Sequence, residues 1–240
     1  MKKTISKFEE ECASLEKEIR KIDKNTAVDG VINPQKYLNL PIDKPRILWV
    51  LKEPNTEGKT GAGWSYQDLF SINNLIAKPE LLGIQTLSQV FYVSYSILNN
   101  FMEWEEVPHK SRIETISIGE QIAYININKG LGGIGTVSDK KIEDEYLKYR
   151  DILKEQIDVY NPDIIIFGNT LQYFDEDVID LKDFIKDSIV TDKYKTTYFK
   201  SDRRLMIWAY HPGARANTIS QKTYFDEIVS ISKKWWESRK

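Results

Sequence analysis

Short apolar runs alternate along this chain with segments whose apolar residues recur at helical spacing. Four runs are rich in β-branched or aromatic residues and are bounded by turn-forming residues, which is typical of buried strands: Arg46–Leu51, Gln121–Asn128, Asp163–Gly168 and Leu205–Tyr210. Helices are predicted between them, over about Tyr66–Ala77, Thr86–Phe101, Asp139–Tyr160 and Ser220–Trp236. This alternation predicts an α/β fold, a three-layer α/β/α sandwich with a central, mainly parallel four-stranded sheet.

The N-terminal segment has a pattern of its own. Its apolar residues are spaced by three or four positions, which predicts an amphipathic helix within residues 1–24: Ile5, Phe8, Cys12, Leu15, Ile19 and Ile22. Residues 25–45 contain Gly30 and three prolines, so we interpret them as a connector. Residues 46–240 then form the α/β domain, in which Lys195–Lys200 is expected to add a short edge strand.

Composition narrows the class of protein. An apolar fraction of 41% in 240 residues indicates a globular chain, and no apolar run approaches the roughly 20 residues that span a bilayer. The charged start carries no secretory signal, and the single Cys12 excludes disulfides within the chain and cysteine-ligated metal sites. We therefore expect a cytoplasmic protein with no membrane partner, no metal and no cofactor.

The net charge of −2 hides a local bias. Asp202 is the one acidic residue among seven basic ones near the C-terminus: Lys193, Lys195, Lys200, Arg203, Arg204, Arg215 and Lys222. This segment is either a basic face around His211 or a solvated loop.

Polar side chains follow each predicted strand. They are Glu53 and Asn55 after the first, Asn126, Asn128 and Lys129 at the end of the second, Asn169 after the third and His211 after the fourth. Because the carboxyl ends of parallel strands meet at one edge of a sheet, we expect these groups to converge. A carboxylate, several amides and an imidazole suit recognition of a heterocycle and cleavage of a bond that releases an anion. Phosphoryl transfer would need metal ligands or a phosphate-binding loop.

Four motifs, in this order and at these strand ends, resemble the uracil-DNA glycosylase superfamily: Lys52-Glu53-Pro54, Asn126, Asn161-Pro162-Asp163 and His211-Pro212. The resemblance covers about Arg46 to Phe225. It implies a DNA glycosylase that hydrolyses the N-glycosidic bond of a flipped-out base, in DNA repair or in defence against modified foreign DNA.

The resemblance also implies roles for single residues. Glu53 matches the catalytic carboxylate that positions water or stabilises charge on the sugar, and His211 matches the histidine on the departing base. Asn126 matches the amide that reads the pyrimidine edge. Trp64 or Tyr66 is expected to stack on the base. Lysine and arginine side chains are expected to hold DNA phosphates, and the candidates are Lys129, Arg203, Arg204 and Arg215.

Departures from the family pattern bear on the substrate. Asn55 stands where the best-known branch has a tyrosine that excludes the thymine methyl group, and Arg215 replaces a wedge leucine. Glu53 is one methylene longer than that branch's aspartate. The expected substrate is therefore a uracil-like, damaged or modified pyrimidine.

Two other functions remain open. The same scaffold would serve a non-catalytic protein that binds nucleic acid or nucleotides. The segment Gly130–Gly135 also matches the G-x-G-x-x-G pattern of dinucleotide-binding enzymes. Against the latter, the strand before it carries polar Asn126 and Asn128, and no acidic residue ends a following strand.

Overall fold

A computed structural model of the protein describes residues 3–54, 64–130, 132, 138–191, 194–215 and 217–239. Its helices are α1 (Ile5–Ile22), α2 (Pro34–Leu38), α3 (Tyr66–Leu69), α4 (Ile72–Ala77), α5 (Gln85–Leu98), α6 (Ile113–Ser117), α7 (Asp139–Tyr160) and α8 (Gln221–Ser238). Its strands are β1 (Gly30–Val31), β2 (Ile47–Leu51), β3 (Ala123–Asn126), β4 (Ile164–Gly168), β5 (Ile185–Thr191), β6 (Tyr194–Lys200) and β7 (Leu205–Ala209).

All seven strands form a single mixed sheet in the order β1-β3-β2-β4-β7-β6-β5. The four strands predicted from apolar runs are β2, β3, β4 and β7, and they lie side by side and parallel. The sheet is larger than the four strands expected, because β1 and the β5–β6 hairpin add antiparallel strands at its two sides. Lys195–Lys200 belongs to β6, which is not an edge strand because β5 pairs with its outer side.

The parallel strands are buried on both faces, which explains their unbroken apolar runs. On β2, Trp49 belongs to the apolar core that includes α5 and α8, while Leu48 and Val50 belong to the core that includes α1 and α7. The Trp49 indole also donates to the Ser94 hydroxyl on α5 at 3.0 Å. The helices thus fix the sheet from both faces.

The N-terminal helix is part of this core. Phe8, Cys12 and Leu15 on α1 are buried in the same cluster as Tyr149 and Leu153 on α7. Burial raises the pKa of the Cys12 thiol to about 12. Helix α1 therefore packs as an element of the α/β fold.

The segment 25–45 does more than connect. It supplies β1, which pairs with β3, and α2, in which Tyr37 is fully buried. The segment that we interpreted as a connector thus contributes a strand that begins at Gly30 and a short helix that begins at Pro34. Among the described residues, no helix is long and apolar enough to cross a membrane.

Candidate functional site

The carboxyl ends of the four parallel strands meet at one edge of the sheet. Leu51 at the end of β2 pairs with Asn126 at the end of β3, and the Asn128 N–H donates to the Lys52 carbonyl at 2.8 Å. On the other side, a Cβ at Gly168 would lie 2.3 Å from Leu51 Cδ2 and 2.9 Å from Pro212 Cδ. Only glycine at the end of β4 lets the His211-Pro212 loop come this close to β2.

Glu53 is held by the segment that follows β3. Its Oε2 accepts a hydrogen bond from Asn128 Nδ2 at 3.1 Å and lies 3.7 Å from Lys141 Nζ. The Asn128 Oδ1 in turn accepts from the Gly130 N–H at 2.8 Å, which fixes the amide's orientation. The carboxylate side chain is 11% exposed. Glu53 is therefore a mostly buried carboxylate held in place by a neutral amide.

Asn126 is the most unusual side chain at this edge. It is 1% exposed, and neither its Oδ1 nor its Nδ2 has a hydrogen-bond partner among the described residues. Burial raises the pKa of the nearby Tyr66 hydroxyl, and the Asn126 amide partly opposes that shift, although the two groups are outside hydrogen-bonding geometry. Leaving a buried polar atom unpaired costs about 1–3 kcal/mol. A ligand with one acceptor and one donor would satisfy both atoms.

His211 is neutral at physiological pH. Burial lowers its pKa from the usual 6.5 to about 4, and the charge of Lys52 contributes. Its Nδ1 accepts a hydrogen bond from the Gly213 N–H at 3.0 Å. Because Nδ1 is the acceptor, the ring proton is on Nε2, which is then a hydrogen-bond donor. A Cβ at Gly213 would lie 2.5 Å from the Thr86 hydroxyl on α5, so the loop needs glycine here.

Lys52 brings a positive charge to the same edge. Its Nζ donates to Asp139 Oδ1 at 3.2 Å and lies 5.4 Å from the centre of the Tyr173 ring. The Tyr173 hydroxyl also donates to Asp139, and this bond and Lys52 hold the pKa of Asp139 below its usual value. Sequence reasoning gave no role to Lys52 or Asn128. Their positions directly beside Glu53 and Asn126 were the available signal.

The two candidate stacking rings differ in exposure. Tyr66 is 4% exposed, and its ring contacts Phe70, Trp64 and Tyr124, with the Tyr124 ring centre 4.6 Å away. Trp64 is half-buried and packs against Tyr66 with ring centres 5.0 Å apart. Tyr66 therefore belongs to the aromatic core, whereas part of the Trp64 side chain is exposed to solvent.

No protein-family model matches the sequence, and no curated protein matches it significantly.

The expectation that Lys129 holds a DNA phosphate was wrong. Its side chain is fully buried, and its ammonium donates to Asp29 Oδ1 at 2.7 Å and to the Asn126 carbonyl at 3.1 Å. Burial lowers its pKa, against the opposing effect of the Asp29 carboxylate. A lysine enclosed in this way cannot reach a phosphate.

The basic residues near the C-terminus do not form one face around His211. Arg203 and Arg204 precede β7, whereas His211 follows it, so they lie at opposite ends of the strand, roughly 20 Å apart at about 3.3 Å per residue. The Arg204 guanidinium donates to the Pro162 carbonyl and to Asn161 Oδ1, both at 3.0 Å. Both arginines line a cavity of about 830 Å³ at the amino ends of the strands. Arg203 and Arg204 therefore lie away from the strand ends that carry His211, and their contact with DNA phosphates stays a prediction.

Arg215 alone of these arginines is in the His211 loop, and it is exposed. Asn55, Lys193 and all of Gly130–Gly135 except Gly130 and Gly132 lie outside the described residues. Within the part of the chain that the structure describes, no group of three or more His, Cys, Asp or Glu side chains is arranged to hold a metal ion. The polar side chains that the structure describes at this edge include the Glu53 carboxylate, the Asn126 and Asn128 amides, the neutral His211 imidazole and Lys52.

Proposed function

We propose that the protein is a DNA glycosylase that removes a uracil-like, damaged or modified pyrimidine, on a three-layer α/β/α fold of the uracil-DNA glycosylase type. The observation that carries the proposal is the buried Asn126 amide, which has no partner among the described residues and lies at the same sheet edge as Glu53 and His211. The edge of a uracil-like pyrimidine presents a carbonyl acceptor beside an N–H donor. These two groups are the hydrogen-bond partners that the Asn126 side chain would need.

The reaction needs one bond to break and one to form. The C1′–N1 bond breaks with its electron pair leaving on the base, and a water oxygen then bonds to C1′. Glu53 stabilises the positive charge that develops on the sugar and accepts the proton of the attacking water. The Asn128 amide at 3.1 Å and the Lys141 ammonium at 3.7 Å both contact Oε2 of this mostly buried carboxylate, which supports a fixed position for it.

The leaving base acquires negative charge, and two groups stabilise that charge. The His211 Nε2–H donates to the base carbonyl, and the ring stays neutral because burial lowers its pKa. The Lys52 ammonium, close enough to affect that pKa, adds a favourable charge. Trp64, the more exposed of the two candidate rings, stacks on the flipped base, and Arg215 contacts a phosphate.

The decisive experiment compares wild type with Glu53→Gln on a panel of DNAs. Single- and double-stranded substrates would contain uracil, oxidised pyrimidines or 5-substituted pyrimidines, and freed bases would be measured by mass spectrometry. We expect wild type to release at least one base and Glu53→Gln to do so at least about 100-fold more slowly. The matched control is Asp202→Asn, which removes a carboxylate at the opposite end of the sheet and should not change the rate.

Two results would contradict the proposal. Equal rates for wild type and Glu53→Gln would remove Glu53 from the chemistry. Release of no base from any substrate would reject the glycosylase, and DNA binding by the same preparation would then favour the non-catalytic alternative.

A further inference from the structure

A buried ion pair contacts the backbone of Asn126. Asp29 and Lys129 are both fully buried at their side chains and meet at 2.7 Å. Asp29 Oδ2 accepts the Asn126 N–H at 2.7 Å, and Lys129 Nζ donates to the Asn126 carbonyl at 3.1 Å. Gln156 on α7 also donates to Asp29 Oδ1 at 3.0 Å. Both backbone polar groups of Asn126 are therefore bonded to this pair.

The ion pair lies where the hydrogen bonding between β1 and β3 ends. Strand β1 pairs with β3 only through Gly30 with Tyr124 and Val31 with Ala123. Continuing that register would bring Val28 opposite Asn126. Val28 instead donates to the Trp64 carbonyl at 3.2 Å and accepts from the Tyr66 N–H at 2.8 Å. The Asp29 carboxylate therefore accepts the Asn126 N–H that a regular strand would have paired.

Stability alone does not explain the choice of charges. Replacing a buried ion pair with apolar side chains of similar volume is often neutral or stabilising, because both ions must be desolvated. The effect of this pair is local: it holds the backbone of Asn126, whose side chain has no partner in the part of the chain that the structure describes. An amide without hydrogen bonds depends on its backbone for its orientation.

We propose that Asp29 and Lys129 are positioning residues that hold the Asn126 amide in the orientation that binds the base. The inference rests on the proposed function for its ligand, although the contacts to Asn126 stand without it. Both side chains are fully buried and contact the Asn126 backbone, so we expect their effect on base binding to pass through Asn126.

The test is a double-mutant cycle between the ion pair and Asn126. Asp29→Leu/Lys129→Met replaces both charged side chains with apolar ones and removes the acceptor for the Asn126 N–H. We expect kcat/KM for base release to fall about 100-fold, as for a misplaced binding group. In an Asn126→Ala background the same pair of substitutions should cost no further activity, because its effect passes through the missing amide. An equal additional loss in that background would overturn the proposal.

A control and a second measurement separate this proposal from folding and from the proposed function. Glu227→Gln alters another buried carboxylate, the acceptor of the Thr196 hydroxyl, and should leave base release unchanged. NMR of the Asn126 side-chain amide reports its order without any substrate. If wild type releases no base but the amide loses order in Asp29→Leu/Lys129→Met, the proposed function fails and the positioning role stands. An equally ordered amide in both proteins rejects the positioning role.

Discussion

Asn126 and His211 show two ways in which burial prepares a side chain for a ligand. Neither polar atom of the enclosed Asn126 amide has a partner among the residues described, so a ligand that reached it would supply the missing hydrogen bonds. The His211 Nδ1 accepts from the Gly213 N–H, which places the ring proton on Nε2, and burial lowers the pKa so that the ring stays neutral. Each side chain presents a defined donor or acceptor without a change of charge.

The His211 ring should titrate with a midpoint near pH 4. Its pKa is lowered in the folded protein, so the unfolded chain takes up a proton first as the pH falls. The stability that the neutral ring contributes is complete above about pH 6.5 and is lost as the pH falls toward 4. NMR of the ring protons across this range measures the midpoint directly. His109→Gln assigns the signals, because these are the only two histidines, and a midpoint at or above 6.5 would contradict the buried neutral ring.

The elements that sequence predicted best are those with the strongest patterns. Helix α7 has the predicted bounds, Asp139–Tyr160, and Ser138 caps it by accepting from the Lys141 N–H. The parallel strands were found because they are buried on both faces. Strand β5 was missed because it is largely exposed, with Ile185 and Val190 about two-thirds accessible, and so has no apolar periodicity.

The candidate site was predictable as a set of strand ends but not in its contacts. That Glu53, Asn126 and His211 share one edge follows from parallel strands, which sequence patterns reveal. The pairing of Lys129 with Asp29 joins residues 100 positions apart, and a lysine beside polar residues gives no sign that it is buried. Long-range pairs of this kind depend on how the segments pack, which local patterns do not encode.

The segments after β2 and β3 touch at Gly132, and we expect Gly132→Ala to disturb this contact. A Cβ there would lie 1.9 Å from the Pro54 carbonyl oxygen and 3.2 Å from Glu53 Cδ, so the backbone must move. The free energy of unfolding should fall by about 1–3 kcal/mol, as for an overpacked core, and base release should slow. Urea unfolding gives the first quantity. Gly83→Ala is the matched control, because a Cβ at Gly83 meets no atom within 4 Å; equal stability of the two variants would contradict the contact.

Over the whole molecule, positive charge lies at both ends of the sheet. Arg215 is in the His211 loop, whereas Arg203 lines the cavity at the amino ends of the strands. The two arginines are both exposed, so they differ chiefly in which end they occupy. They offer a comparison in which residue type and exposure are held constant.

We expect Arg215→Ala to weaken DNA binding and Arg203→Ala to leave it unchanged. Losing one phosphate contact should lower the slope of log K against log salt by about 1. Fluorescence anisotropy with a labelled duplex at several salt concentrations measures both the affinity and this slope. A larger effect from Arg203→Ala would place the DNA at the other end of the sheet.

The buried Cys12 has a practical consequence for such measurements. It is the only cysteine, and it lies on α1 and packs against α7. Its thiol has a pKa of about 12, so almost none of it is thiolate at neutral pH. A maleimide dye would therefore react with a cysteine introduced at a solvent-facing position and spare the native one. A single fluorophore could therefore be attached at an introduced cysteine without first replacing Cys12.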